Sequence, residues 1–151
     1  MEQKEFYEHK NHFVGNSIYH FEWCPKYRYK MFAKPKYKRL CEACIYGAAW
    51  RHKIKIRELS VMPDHVHCVA SIPPTMSPVR ALQLLNGISA YLFFKHHPKA
   101  RLRYPKGHLW SRGKLGNSVG FADLSTTENY VRTQEAHHGI MPSSAQGSWG
   151  L

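Results

Sequence analysis

Acidic residues are scarce in this chain. Ten Asp and Glu stand against 22 Lys and Arg over 151 residues, a formal net charge of +12. Such an excess points away from cationic partners and toward a polyanion, with nucleic acid the first expectation. Long apolar runs are also missing: no stretch reaches the roughly 18 residues that a membrane-spanning helix needs. The opening MEQKEFYEHK is charged and has no apolar centre, so no secretory leader is expected there. Cysteine is sparse, with Cys24, Cys41, Cys44 and Cys68. Cys41 and Cys44 have the spacing of half a zinc site, but no second close pair completes four ligands. They share a helical face with Tyr37, Leu40 and Ala48, and read as small core residues. Reduced cysteines of this kind fit a cytoplasmic protein.

What is present suits one ordered domain. The length and a 43% hydrophobic content allow two packed layers around one core. Aromatics make up 13% of the chain, and rings mixed with cations suit single-stranded nucleic acid, where bases stack and phosphates pair. Residues 1–11 read as a flexible arm, 12–138 as the domain and 139–151 as a disordered tail. Alternation in SIYHFEWC (17–24) predicts a strand with Tyr19, Phe21 and Trp23 on one face and Ile18 and His20 on the other. KYRYK (26–30) is a basic, aromatic bend or second strand. Pro35 opens a helix to about His52. Residues 54–61 and 65–72 are strands joined too tightly for a parallel crossover, hence an antiparallel hairpin, with a bulge near Glu58. Ser77 caps a long helix with Pro78 at its first position and Leu82, Leu85, Ile88, Ser89, Leu92 and His96 on one face. A short strand at Leu109–Trp110 and another around 115–120 follow. Ser125-Thr-Thr-Glu128 reads as a capping box for a last helix ending at Gly139. The predicted fold is α+β: a single antiparallel sheet with helices packed on one face, ferredoxin-like or RRM-like, plus a C-terminal tyrosine-bearing helix.

Within MPDHVHCVAS (62–71), His65, His67, Val69 and Ser71 fall on one face of a strand, and Val66, Cys68, Ala70 and Ile72 on the core face. The spacing lets both imidazoles take one metal ion, or leaves them as hydrogen-bonded surface histidines. On the last helix, Tyr130 and Gln134 lie one turn apart. A tyrosine hydroxyl is a competent nucleophile toward phosphorus, and an amide oxygen is a plausible third ligand beside two histidines.

These segments together resemble the HUH-type single-tyrosine transposases of short insertion sequences, which move DNA as single strands. The resemblance spans about residues 12–135. It rests on IYHFEWCPKYRYKMF (18–32), VMPDHVHCVAS (61–71), LLNGISAYLFFKHHP (84–98), LWSRG (109–113) and ENYVRTQ (128–134). It implies that His65, His67 and Gln134 hold Mg²⁺ or Mn²⁺ and that Tyr130 forms a 5′-phosphotyrosine link. It also implies recognition of single-stranded DNA hairpins at element ends, and a homodimer whose active site is shared between subunits if the tyrosine helix reaches across. No ATP is needed if the link stores the phosphodiester energy, and no G-x-x-x-x-G-K-[ST] loop occurs. Action at the nucleoid of a prokaryotic cell follows.

Lys26, Arg28, Lys30, Arg112 and Lys114 are the candidate DNA-binding cations. The chain departs from the family pattern at Lys114 and Leu115, where an aromatic pair is common, and at Asn86, where a lysine is common. Three other readings remain open: a domesticated repeat-processing nuclease of the same chemistry, a non-catalytic single-stranded nucleic-acid-binding module, and a metal-dependent hydrolase using the H-x-H pair without a covalent link.

Overall fold

A computed structural model describes residues 8–10, 13–15 and 17–137. Near the N-terminus, β1 (Glu8–Lys10) pairs antiparallel with β2 (Phe13–Gly15). The main body runs β3 (Ile18–Pro25), α1 (Pro35–Arg51), β4 (Lys55–Val61), β5 (Val66–Ser71), α2 (Pro78–His96) and β6 (Trp110–Ser118). Its sheet has the order β4-β5-β3-β6, and every neighbouring pair is antiparallel. That string and order are the ferredoxin-like arrangement expected above.

Strand alternation sorts the sheet's two faces. Phe21 and Trp23 of β3 and Val66, Cys68 and Ala70 of β5 join Ile45 and Ala48 of α1 and Leu85 and Phe93 of α2 in the main core. Cys41 and Cys44 belong to the same core as free thiols, and burial pushes the Cys44 thiol up to about 12. The opposite face carries a second, smaller cluster: Ile18, Val69, Val119, Leu124 and Val131. Leu124 and Val131 come from α3 (Leu124–Arg132), which therefore covers the histidine face of the sheet. A break at Thr133 separates α3 from a last turn, α4 (Gln134–His137).

Helix starts follow the sequence signals. Ser77 Oγ accepts the Arg80 N–H at 3.1 Å, and Pro78 opens α2 as expected. The register of β4 against β5 shifts between Ile56 and Glu58, where alternation changes phase.

Of the two readings of 26–30 the bend holds: Lys26–Arg28 is a 3₁₀ turn with Tyr27 at φ 65° and Arg28 at φ 51°. Four expectations need correction. The two short strands expected after Leu109 are one strand, β6, with Gly116 inside it packed against β3 rather than punctuating the chain. A Cβ at Gly116 would lie 3.2 Å from the Phe21 ring. His96 is exposed; Phe93 and Phe94 fill the core face of α2 instead. The capping box does not form. Helix α3 begins at Leu124, no side chain caps it, and Glu128 instead accepts from Arg57 Nε at 3.2 Å. The last helix is not continuous either. Thr133 Oγ1 donates to the carbonyls of Asn129 (2.9 Å) and Tyr130 (3.3 Å), and the Thr133 N–H also donates to the Asn129 carbonyl (3.0 Å), so the ladder ends on a doubly used acceptor. Gly139 and the predicted tail, 139–151, lie outside the described residues.

Candidate active site

The hairpin between β4 and β5 sets the first half of the site. The Met62 N–H donates to the His65 carbonyl at 2.8 Å across a loop made of Pro63 and Asp64. This places Asp64 Oδ1 2.8 Å from His65 Nδ1. Arg28 Nη2 reaches the other oxygen of Asp64 at 3.5 Å, brought there by the left-handed turn at Tyr27 and Arg28. Two consecutive non-glycine residues at positive φ cost backbone energy, and such strain collects at functional sites. Burial would raise the Asp64 carboxyl, but the His65 hydrogen bond and the Arg28 charge outweigh it and hold it below its ordinary value.

His67 lies on β5 with only 4% of its surface exposed. Its ring stands edge-on to His65 at 5.1 Å between centroids. In the β3–β5 register, Glu22 is directly opposite His67, and His20 is opposite Val69, two residues along. His67 Nδ1 is 3.1 Å from His20 Nε2 and 3.8 Å from Glu22 Oε2, so only the first distance is a hydrogen bond. Burial lowers the His20 pKa against the pull of Glu22 and favours the neutral ring.

The second half comes from α3. The Tyr130 ring packs edge-on to His67 (5.9 Å) and to His20 (6.1 Å) while staying 49% exposed. The docking of α3 explains this position. Ser60 Oγ on β4 donates to the Val131 carbonyl at 2.5 Å, Arg57 pairs with Glu128, and Arg132 Nη2 contacts Glu58 at 2.6 Å. Gln134 is buried and its amide nitrogen donates to the Tyr130 carbonyl at 3.3 Å; it makes no hydrogen bond to either histidine. Among the described residues no group of three His, Cys, Asp or Glu is arranged to hold a metal.

A pocket of about 290 Å³ opens beside His65, lined among others by Glu22, Arg28, Lys114 and Leu115. Arg28 and Lys114 are thus brought to the His65 side of the pair. Lys114 Nζ donates to the Ser111 carbonyl at 3.1 Å, and burial lowers its pKa. Lys26 lies over the Tyr27 ring at 5.5 Å, next to a ring cluster of Tyr27, Tyr29 and Tyr104. Lys30 and Arg112 are exposed, and neither lines this pocket. The sequence reading missed His20 and Glu22. The alternation of 17–24 put His20 on the face opposite Phe21 and Trp23, but which strand would lie beside it, and that it would face His67, depends on long-range pairing that periodicity does not specify.

The family described as IS200-like transposases matches residues 13–134, most of the chain. The chain belongs to that family. It is a transposase of IS200 type, in an enzyme class that processes DNA. It is 27% identical over 123 residues to the transposase for insertion sequence element IS200 of Salmonella typhimurium, covering 82% of this chain and 80% of that one. It is 26% identical over 122 residues to the ISDra2 transposase TnpA of Deinococcus radiodurans, covering 81% and 86%. A solved REP-associated tyrosine transposase, bound to a REP hairpin, shares the fold with a TM-score of 0.61 at 15% identity, over 89% of this chain and 75% of that one. The transposase's matched region contains both histidines, Tyr130 and Gln134. Among its described residues no helix is long and apolar enough to cross a membrane.

Proposed function

We propose that this transposase cleaves and rejoins single-stranded DNA at the ends of an insertion sequence through a covalent bond between Tyr130 and a 5′-phosphate. The observation that carries the reading is the placement of a half-exposed tyrosine ring edge-on to a buried histidine of an H-x-H pair within one chain. A divalent metal, Mg²⁺ or Mn²⁺, fits the donors. Nδ1 of His65 is tied to Asp64 and Nδ1 of His67 to His20, the anchoring that turns Nε2 of a histidine toward a metal. Gln134, with its nitrogen turned back to the Tyr130 carbonyl, would offer its oxygen as third ligand. Bound there, the cation would withdraw charge from the scissile phosphate.

The side chains then have separate tasks. Tyr130 Oη attacks phosphorus and gives up its proton; the P–O3′ bond breaks and the departing 3′ oxygen becomes a hydroxyl. A 3′-hydroxyl from another strand end later attacks the phosphotyrosine, which re-forms a phosphodiester and returns the tyrosine. Arg28 and Lys114 hold the flanking phosphates in the pocket beside His65. The tyrosines around Lys26 offer faces for unpaired bases. Hairpin recognition is proposed because the REP-associated relative is described as bound to a REP hairpin. A homodimer is proposed on one structural feature: the outer edge strand β6 is exposed from Arg112 to Ser118 and long enough to pair with another copy.

The test is incubation of the protein with labelled hairpin-bearing single strands, with Mn²⁺ or with chelator, followed by a denaturing gel. Metal-dependent cleavage with a shifted protein–DNA band, absent in Tyr130→Phe, supports the proposal. Cleavage with no covalent band makes the protein a hydrolase, and binding without cleavage makes it a binding module.

A further inference from the structure

We infer that His20 is a positioning residue of the active site: it accepts the His67 Nδ1 proton and so holds the His67 ring in the tautomer that turns Nε2 to the metal. The inference rests on the metal-dependent reading above and adds to it a residue outside the H-x-H motif.

The geometry supports it in three ways. His20 Nε2 lies 3.1 Å from His67 Nδ1, whereas the Glu22 carboxylate, directly across the ladder, stays at 3.8 Å and outside hydrogen-bond range. The two imidazoles are stacked, with centroids 5.3 Å apart and planes at 26°, so the ring of His67 is fixed in plane as well as in tautomer. The same His20 ring meets Tyr130 edge-on at 6.1 Å, so one β3 side chain faces both the ligand and the nucleophile. A single proton lies between the two facing nitrogens. If His67 carries it, His67 Nε2 has a lone pair for a cation. If His20 carries it, the remaining proton of a neutral His67 sits on Nε2 and blocks ligation there. A ligand histidine with the opposite ring nitrogen hydrogen-bonded is the arrangement that raises its basicity and fixes its aim; losing such a partner costs about 10- to 100-fold in metal affinity.

Long-range ¹H–¹⁵N correlation spectra of the metal-free protein read the tautomer directly, and titration with Mn²⁺, followed by the loss of its free-ion electron paramagnetic resonance signal, reads affinity. Two variants separate position from bulk. His20→Leu fills space without an acceptor; His20→Gln keeps an acceptor near the place of Nε2. The expected result is the Nδ1–H tautomer of His67 in the wild type and in His20→Gln, a gain of Nε2–H in His20→Leu, and Mn²⁺ affinity lower by about 10- to 100-fold in His20→Leu but near wild type in His20→Gln. A wild-type His67 in the Nε2–H form overturns the inference, and this measurement needs no variant to fold. Wild-type uptake of Mn²⁺ that His20→Leu leaves unchanged overturns the role of His20 alone. A wild type that takes up no Mn²⁺ overturns the metal reading and the role with it.

Discussion

At the scale of single residues, the site depends on tethers rather than on the motif alone. Strand periodicity put His65 and His67 on one face and helix spacing put Tyr130 one turn from Gln134, but their roles as a site came from the family resemblance. Their orienting partners were not legible in the sequence, because Asp64–His65 needs the shape of the hairpin turn and His20–His67 needs the register of two distant strands. Polar groups away from the site follow the same logic. Asn86 is buried on α2, and among the described residues neither its amide nitrogen nor its amide oxygen has a hydrogen-bond partner. Replacing it with Leu removes an unsatisfied amide, so Asn86→Leu should raise stability by about 1 kcal/mol in urea unfolding; a loss instead would mean the amide is solvated. His97 stacks on Tyr37 at 4.2 Å, and burial, helped by Lys36 and Lys99, lowers its pKa. A folded pKa below the unfolded value of about 6.5 means that the unfolded chain binds the proton more readily. Stability is then reduced at acid pH, recovers as pH climbs through that window and levels off above about 6.5. His97→Phe should flatten this part of a thermal-stability profile against pH, and an unchanged slope would contradict the assignment.

At the scale of elements, the question is what holds the tyrosine helix over the sheet. Two of its ion pairs reach the surface; Arg132 is 59% exposed in its pair with Glu58, and such pairs contribute about 0–1 kcal/mol each. The buried contacts decide the balance. Lys38 of α1 pairs with Glu42 at 2.6 Å and with Glu135 of α4 at 2.8 Å, and all three side chains are at most 8% exposed. Removing the lysine leaves two carboxylates buried together, so Lys38→Met should cost about 3–5 kcal/mol in denaturant unfolding and speed amide exchange in α3 and α4. Adding Glu42→Gln and Glu135→Gln should restore part of that loss; no recovery would mean the clasp does not act as an ionic unit. This clasp was not visible in the sequence. The helix read there as one piece from Ser125 to Gly139 is broken at Thr133, and the break places Glu135 beside α1. By contrast, the β3–α1–β4–β5–α2 order followed from period, from Pro35 and Pro78 and from the Ser77 cap, local signals that survived tertiary packing.

At the scale of the whole molecule, a +12 chain should bind single strands with a steep salt dependence. If Arg28 and Lys114 each neutralise one phosphate, replacing both with Ala should lower the salt slope by roughly 1.4, at about 0.7 per phosphate of single-stranded DNA. An unchanged slope would move the binding face elsewhere. Because Tyr130 already lies beside its own chain's His67, mixing His65→Ala with Tyr130→Phe should recover no cleavage; recovered activity would show that the helix crosses between subunits. The central claim, a covalent link on Tyr130, is tested most directly by mass spectrometry of the protein digested after reaction with hairpin-bearing single-stranded DNA and Mn²⁺. The account predicts a nucleotide carried through its 5′-phosphate on the peptide that contains Tyr130. Cleaved DNA with that peptide unmodified, or a nucleotide carried on Tyr27, Tyr29 or Tyr104 instead, would contradict it.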